Sequence, residues 1–357
     1  MSTTTTERSV PWYRSGATQV SEGVFRIPIQ LPLDALRAVN VYALDTSDGV
    51  VLIDGGWAVP SALGELNSGL EEIGRSLSDV TDVYVTHIHR DHYTLAVEIR
   101  RATGSRIHLG DEERPGLAAI RALGSNVPES SLRELHRSGA PELADLLRTQ
   151  TAAEPFSAAS WEDPDHWITP GTFDLGGRTL DAIHTPGHTK GHYVFADSES
   201  GLLFSGDHIL PHITPSIGFE LGPWGMPLGD YVESLELMRR LPDRRLLPAH
   251  GAVTGSSRER AAELLQHHEE RFDEIAGELS PNTASTAAGV AAKLPWTRRR
   301  RPFGSLDSFN RMIAICETLA HLDVLVERGR AVRDTSHRSD HFFSGVDHIR
   351  SIPASTD

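Results

Sequence analysis

The sequence predicts a layered fold of the α+β class, and three observations indicate it. Residues 24–29 and 39–44 alternate between apolar and polar side chains, as strands with one buried face do. Residues 61–109 then read as helix, strand, helix and strand in succession. A strand pattern resumes at residue 167 after an Ala- and Leu-rich helical stretch. Sheets interleaved with helices in this way predict helical layers packed on β-sheets.

The first strands end in a conspicuous acidic group. Residues 46–49 form a turn, after which residues 50–53 predict a buried strand that returns beside residues 39–44. This strand ends in Asp54-Gly55-Gly56, which places a carboxylate at the edge of the sheet. Asp54 could cap the following loop, but we favour a role in supporting neighbouring metal ligands.

The central stretch lies between two predicted helices. Leu63, Leu66, Leu70 and Ile73 give residues 61–78 the apolar spacing of an amphipathic helix. A strand over residues 82–85 leads into a polar run, and a second helix follows from Tyr93 to Ala102. Gly104 ends that helix, and the short strand at 106–109 carries His108, which we interpret as structural.

The polar run contains four residues that can bind a metal: His87, His89, Asp91 and His92. In an extended chain alternate side chains point to one side, so His87 and His89 can face one pocket. Imidazole and carboxylate ligands together suit zinc, iron or manganese better than calcium or magnesium. A histidine-rich polar loop without a metal is the alternative, but three histidines and an aspartate rarely cluster at this spacing by chance.

The second half of the chain repeats this arrangement. The pattern of residues 111–165 predicts a helical insertion. This insertion either covers a substrate site as a lid or has a packing role. Three further candidate ligands each follow a short apolar strand, and these residues are His188, Asp207 and His250. Strands of one sandwich end on a common edge, so these side chains can converge with the first cluster.

The C-terminal part is predicted to be helical. A long charged helix over residues 255–277 precedes three helical pieces, at 286–294, 305–315 and 318–328. We expect a small domain over residues 256–335 and a loose tail over residues 336–357, in which Phe342 and Phe343 could dock on the body. The run Arg298–Arg301 is either a solvated loop or an anion site.

Two further segments are predicted to be irregular. We expect a flexible leader over residues 1–20, and a loop over residues 209–229 that either faces substrate or packs as an ordinary loop.

Charge and cysteine content limit the function classes. With 34 basic and 49 acidic residues the formal net charge is −15, which disfavours nucleic-acid binding without excluding a local basic groove. The single cysteine, Cys316, rules out an internal disulfide and lies in an apolar helical pattern, as expected of a core residue. The sequence shows no signal-peptide pattern and no membrane-spanning run, so we expect a cytoplasmic protein without membrane association. The sequence is compatible with an oligomer.

The motifs resemble those of the metallo-β-lactamase superfamily, in the branch of glyoxalase II and related hydrolases. The resemblance covers about residues 20–255 and its motifs occur in family order: Asp54-Gly55-Gly56, the His-x-His-x-Asp-His run, Thr185-Pro186-Gly187-His188-Thr189, Gly206-Asp207 and Ala249-His250-Gly251. It implies an αββα sandwich over residues 21–255, followed by a helical, winged-helix-like domain. Where the family often has a small residue and glycine after the Asp-His pair, this sequence has Tyr93-Thr94.

The resemblance also implies a site with two divalent metal ions, most simply zinc, with iron or manganese as alternatives. By family analogy the ligands divide between two metals, with Asp207 bridging them: His87, His89 and His188 for the first, and Asp91, His92 and His250 for the second. Asp91 and His192 are candidate catalytic residues, and Tyr93 and His208 are candidate substrate contacts. His184 is expected to be structural.

The resemblance implies hydrolysis of a small acyl substrate. A hydroxide bridging the two metals would attack the carbonyl of an ester, thioester or lactone. A metal-dependent ribonuclease is the alternative, since relatives with a winged-helix domain include one. The net charge of −15 and the absence of a long basic stripe favour the acyl hydrolase.

Overall fold

The computed structural model describes residues 11–32, 36–123, 125, 127–152, 156–218, 224–297 and 299–345. The first half of the predicted leader and the end of the predicted tail, at 1–10 and 346–357, lie outside these residues, as does Arg298 of the basic run.

The strands of the first sheet come from the first half of the chain. They are β1 (Thr18–Ser21), β2 (Val24–Gln30), β3 (Ala38–Thr46), β4 (Gly49–Ile53), β5 (Val80–Tyr84), β6 (Arg106–Gly110) and β7 (His166–Ile168). Over the described residues they lie side by side in chain order, antiparallel from β1 to β4 and parallel from β4 to β7.

The strands of the second sheet follow in the second half. They are β8 (Gly171–Asp174), β9 (Thr179–His184), β10 (Tyr193–Asp197), β11 (Leu202–Gly206) and β12 (Arg245–Pro248). They are antiparallel from β8 to β11, and the last pair, β11 and β12, is parallel. Two short pairs complete the β-structure: β13 (Pro295–Trp296) with β14 (Arg301–Pro302), and β15 (Ala331–Asp334) with β16 (His341–Ser344).

Helices cover both outer faces of the two sheets. They are α1 (Ala62–Glu72), α2 (Arg90–Thr103), α3 (Arg114–Arg121), α4 (Glu129–Arg137), α5 (Pro141–Thr151), α6 (Pro227–Arg240), α7 (Ser257–Gly277), α8 (Ala287–Ala291) and α9 (Ser308–Glu327). In the part of the chain that the structure describes, none of them is long and apolar enough to cross a bilayer.

Three apolar cores separate the four layers. Alternate residues of one strand enter different cores: Val41 of β3 packs toward α1 and α2, whereas Tyr42 packs between the sheets. On the second sheet, Phe195 of β10 faces the first sheet and Val194 faces the helices on the other side. The predicted αββα sandwich is therefore confirmed.

The C-terminal helices share the core that covers the second sheet. Phe272 of α7 and Leu322 of α9 belong to the same apolar cluster as Val194 of β10 and Leu135 of α4. The two helical pieces predicted at 305–315 and 318–328 form one helix, α9, because the residues around Cys316 are buried on nearly all sides and nothing in the sequence breaks the helix.

The hairpin of β15 and β16 docks on this helical layer. Phe342 of β16, within the segment predicted as a tail, is fully buried. Its backbone pairs with Ser285, ahead of α8. This contact fixes the hairpin of β15 and β16 against the body.

Candidate metal centre

The candidate ligands follow the ends of strands on one edge of the sandwich. His87 and His89 follow β5, and Asp91 and His92 lie in the first turn of α2. The remaining three come from the second sheet: His188 from the loop after β9, Asp207 after β11 and His250 after β12. In each sheet a parallel pair, β4 with β5 and β11 with β12, brings the carboxyl ends of its two strands to the same edge.

The first group contains three imidazoles. Ligand atoms of His87, His89 and His188 all lie within 4.8 Å of one another. Nε2 of His87 is 3.0 Å from Nδ1 of His89. Three nitrogens converging on one point match the ligand set of many zinc sites.

The second group joins the first through Asp207. Ligand atoms of Asp91, His92 and His250 also lie within 4.8 Å of one another. Oδ2 of Asp207 is 3.5 Å from Nε2 of His188 and 3.7 Å from Nε2 of His92, while Oδ1 is 3.4 Å from Nε2 of His250. Asp207 therefore stands between the two groups, as a bridging carboxylate would.

Backbone carbonyls fix the tautomers of two imidazoles. Nδ1 of His188 is 2.9 Å from the carbonyl oxygen of Ser216, and Nδ1 of His250 is 2.8 Å from that of Ala38. A carbonyl oxygen only accepts, so the hydrogen-bond network assigns the proton to Nδ1. In the neutral ring, the lone pair of each Nε2 then points into the cluster.

Asp54 and Thr86 orient the imidazole rings of two more histidines, His92 and His87. Nδ1 of His92 is 2.9 Å from Oδ2 of Asp54, which accepts a hydrogen bond from the Nδ1–H group. The hydroxyl of Thr86 donates to Oδ1 of Asp54 at 2.9 Å, so it accepts from Nδ1 of His87 at 3.0 Å. In the neutral rings, Nε2 of His87 and of His92 would therefore carry the lone pairs, and Asp54 supports the cluster as the sequence predicted.

The inward-facing atoms fit a metal site. Among the described residues, Nε2 of His92, His188 and His250 and Oδ1 of Asp207 are buried without a hydrogen-bond partner. Buried polar atoms are rarely left unpaired, so several of them converging on one point indicate a site for cations. The mixed nitrogen and carboxylate set suits zinc, iron or manganese.

Burial and neighbouring charges prepare these side chains to bind cations. Burial and the nearby imidazoles lower the pKa of His89 to about 3 and that of His188 to about 4, so both rings are neutral near pH 7. The pKa of Asp91 is lowered because, although burial opposes it, His92 and His250 favour the carboxylate.

His92 behaves differently. Burial lowers its pKa, but Asp54, Asp91 and Asp207 outweigh burial and raise it to about 10. In the metal-free protein this ring is therefore protonated at neutral pH, and it must lose a proton before Nε2 can bind a metal.

His192 supports Asp207 from a fully buried position. Its Nε2 accepts the backbone N–H of Asp207 at 3.2 Å, and its Nδ1 bonds the hydroxyl of Thr185 at 3.0 Å. Both ring nitrogens are occupied and the side chain is fully buried. This geometry differs from the expected catalytic role, and we interpret His192 as a residue that positions the carboxylate of Asp207.

Two expected substrate contacts lie inside the protein. Tyr93 is fully buried, and its hydroxyl donates to the carbonyl of Glu162 at 2.6 Å, so it is a core residue of the α2 layer. His208 is also fully buried, and its ring packs at 5.2 Å from that of Tyr231. Neither side chain is exposed to a substrate. His184 bonds the carbonyl of Lys190 at 2.8 Å, which agrees with a structural role.

Gly206 allows the chain to present Asp207. Its φ angle of +51° lies in the left-handed region, and a Cβ atom there would be 2.7 Å from both Nε2 of His192 and Oγ1 of Thr86. A side chain would therefore collide with two residues that support the ligands.

Sequence reasoning missed several supporting residues. Asn40 donates from Nδ2 to the carbonyls of Pro248 and Gly251, both at 2.9 Å, and so holds the loop of His250 against β3. Glu113 is a buried carboxylate behind the first ligand group. It follows two other acidic residues, Asp111 and Glu112, and so resembled part of a solvated charged turn.

Comparison with known proteins agrees with this geometry. A family model described as the metallo-beta-lactamase superfamily matches residues 34–250. A metallo-beta-lactamase family protein from Thermus thermophilus superposes with a TM-score of 0.73 at 28% identity, over 91% of this chain and 100% of that one. A beta-lactamase domain protein from Burkholderia ambifaria gives 0.76 at 25% identity, over 95% and 96% of the two chains.

Curated relatives match over part of their length. The lactamase-like protein nscB of Neosartorya fischeri is 28% identical over 240 residues, which are 67% of this chain but only 56% of that protein. The beta-lactamase-like protein 2 homolog of Drosophila melanogaster is 26% identical over 243 residues, 67% of this chain and 68% of that protein.

The four-layer sandwich and its edge of imidazoles and carboxylates define a hydrolase-type enzyme fold. This chain belongs to the metallo-beta-lactamase superfamily. The resemblance seen in the sequence motifs is thereby confirmed.

Proposed function

We propose that this protein is a dinuclear metal-dependent hydrolase that cleaves a small ester, thioester or lactone with water. His87, His89 and His188 would hold one cation, Asp91, His92 and His250 the other, and Asp207 both. Zinc is the cation that the donor set favours, with iron and manganese as alternatives.

One observation carries this proposal: the inward nitrogens of His92, His188 and His250 are buried and unpaired among the described residues, although each outward Nδ1 is hydrogen-bonded. Outer hydrogen bonds of this kind fix the ring of a metal-binding histidine and its tautomer. The arrangement costs stability in a protein that binds no cation, because unpaired polar atoms are buried.

Two divalent cations, when bound, polarise a substrate carbonyl and lower the pKa of water to near neutrality. The side chain of Asp91 is 18% exposed, compared with 3% for His250 beside it, and its Oδ2 lies 3.4 Å from Nε2 of that ring. Asp91 can therefore accept a hydrogen bond from the attacking water and orient it toward substrate.

The surrounding residues give no support for a protein nucleophile. Ser205, beside the metal-site loop, is fully buried and its hydroxyl donates to the carbonyl of Ile209 at 2.8 Å. Cys316 is buried in α9, in the helical core outside the second sheet. Direct attack by water is the mechanism that this site supports.

The test combines metal content with a substrate panel. Metal-depleted protein is reconstituted with zinc, manganese or ferrous iron and assayed on aryl esters, acyl-thioesters, homoserine lactones and single-stranded RNA. We expect about two cations per chain and activity on an acyl substrate that depends on the cation. Cleavage of RNA alone, or full activity with less than about one cation per chain, would contradict the proposal.

Matched variants connect the activity to the site. Asp207→Asn and His188→Ala should each lower both metal content and activity. Asp48→Asn and His136→Ala change the same residue types at exposed positions and should leave both unchanged.

A further inference from the structure

Glu113 is a buried carboxylate that lies outside the ligand set. It follows β6 and directly precedes α3, at the start of the helical insertion. Only 1% of its surface is exposed. Burying an ionisable group is costly unless its partners compensate, so its contacts identify what it does.

Both partners of Glu113 belong to the segments that carry the first ligand group. Its Oε1 accepts the hydroxyl of Thr189 at 2.5 Å and the backbone N–H of Ile88 at 3.3 Å. Ile88 separates His87 from His89, and Thr189 directly follows His188. One oxygen atom therefore joins the two segments that must meet for three imidazoles to converge.

Close packing holds this carboxylate in place. A Cβ atom at Gly191 would lie 2.5 Å from both Cγ and the backbone nitrogen of Glu113. A Cβ atom at Gly110 would lie 2.4 Å from the carbonyl oxygen of Gly191. The turn that bears Glu113 thus packs in direct contact with the loop after His188. This packing leaves the Glu113 side chain little room to adopt another conformation.

The electrostatic balance at Glu113 agrees with a role as an acceptor. Burial raises its pKa to about 7, against the hydrogen bonds from Thr189 and Ile88, which favour the carboxylate. Its second oxygen, Oε2, has no hydrogen-bond partner among the described residues. Thr189 and Ile88 therefore require one accepting oxygen between them. The carbonyl oxygen of a neutral side chain could also supply it.

We propose that Glu113 is a positioning residue for the three-histidine metal position, because it fixes Ile88 and Thr189 and thereby the convergence of His87, His89 and His188. This inference rests on the proposed function only in requiring that a cation binds there. Glu113 is not one of the candidate ligands, and it acts on them through Ile88 and Thr189.

Two substitutions separate the accepting oxygen from the bulk of the side chain. Glu113→Gln keeps an oxygen for both donors and replaces the unpartnered Oε2 with an amide nitrogen, whereas Glu113→Leu keeps a similar volume and removes the acceptor. Glu112→Leu is the matched control: Glu112 is exposed, and its side chain accepts from the hydroxyl of Tyr193 in β10 rather than from Ile88 or Thr189. Thr189→Val removes one donor without touching Glu113.

The readout is cobalt binding, measured without any substrate. The absorption spectrum of bound Co²⁺ reports its coordination, and titration against a competing chelator gives the affinity of each position. The first position is that of His87, His89 and His188, and the second is that of Asp91, His92 and His250. His188→Ala provides a reference titration in which the first position is impaired, and Asp91→Asn one in which the second is impaired. We expect Glu113→Leu to weaken the position that His188→Ala affects by about 10- to 100-fold and to alter its spectrum.

Conservative rescue distinguishes positioning from general destabilisation. Glu113→Gln should remain within about threefold of the unaltered protein, and Thr189→Val should weaken the same position as Glu113→Leu, by about 10-fold. If Glu113→Leu does not fold, Thr189→Val alone decides the question. An unchanged first position in the folded variants, or equal weakening of both positions, would overturn the proposal. Tight cobalt binding without acyl hydrolysis would instead overturn the proposed function and leave the role of Glu113 intact.

Discussion

Asp54 binds His92 from the end of the neighbouring strand, with 2.9 Å between Oδ2 and Nδ1. The same carboxylate accepts the backbone N–H and the hydroxyl of Thr86, beside the first ligand His87. Asp54 adopts a φ angle of 63°, in the left-handed region where Asp and Asn are more common than most residues. One strained position therefore supports one histidine from each of the two ligand groups.

Asp54→Asn should weaken metal binding without disturbing the backbone. Asn tolerates a left-handed φ, so the loop is retained while the charged acceptor of His92 is lost. We expect the cation affinity to fall by about 10- to 100-fold, as measured by competition with a chelator. Asp48→Asn, at an exposed position, is the control, and equal affinities in the two variants would show that Asp54 does not orient His92.

Substitution of His192 should reveal a positioning role. His192→Leu leaves the buried N–H of Asp207 without its acceptor, which should cost about 1–3 kcal/mol of unfolding free energy and weaken cation binding. His192→Gln can supply an oxygen to that N–H and should recover much of both losses. The pH profile of kcat should keep its shape in either variant, because His192 transfers no proton; loss of one limb of that profile would restore a catalytic role.

Asp82 should make stability depend on acid pH. Burial disfavours its carboxylate, but hydrogen bonds from His108 at 2.7 Å and Arg106 at 2.7 Å outweigh burial and lower its pKa. A lowered folded-state pKa stabilises the fold above the unfolded value of about 3.9, and this stabilisation is lost as pH falls.

Asp82→Asn should therefore lower the unfolding free energy by about 1–3 kcal/mol near pH 7. Its difference from the unaltered protein should shrink below about pH 4, as measured by urea unfolding of the metal-free protein. Asp174→Asn, in the exposed part of β8, is the control. A difference that stays constant with pH would exclude the ionised Asp82 as its source.

Cys316 should be unreactive in the folded protein. Burial and the charge of Glu134 raise the pKa of its thiol to about 12, so the reactive thiolate is scarce at neutral pH. We expect no reaction with a disulfide reagent in the native state and one thiol per chain after denaturation, since the sequence has 1 cysteine. Rapid labelling of native protein would show that α9 opens locally.

The sequence predicted the parts of the site that depend on local spacing. The run from His87 to His92 directly follows a strand, and His188, Asp207 and His250 each follow another. Strand ends share an edge whatever the details of packing, so their convergence could be anticipated. The family resemblance then supplied the order of the layers.

What the sequence did not reveal depends on distant contacts. The partners of Glu113 lie 25 and 76 residues away along the chain, so no local pattern marks it. Tyr93 directly follows the candidate ligand His92 in sequence, yet on α2 its side chain packs in the core between the helices and the first sheet. His192 resembles a ligand in type and spacing, and only the backbone of Asp207 determines its role.

The ligand positions begin at His87 in the first sheet and end at His250 in the second, where Asn40 and Tyr42 of β3 bond the carbonyl of Pro248. A chain emerging from the ribosome cannot complete the cluster until β12 has paired and settled against β3. Capture of the proposed cations would then be a late event in maturation, and their occupancy would report that the two halves of the sandwich have closed.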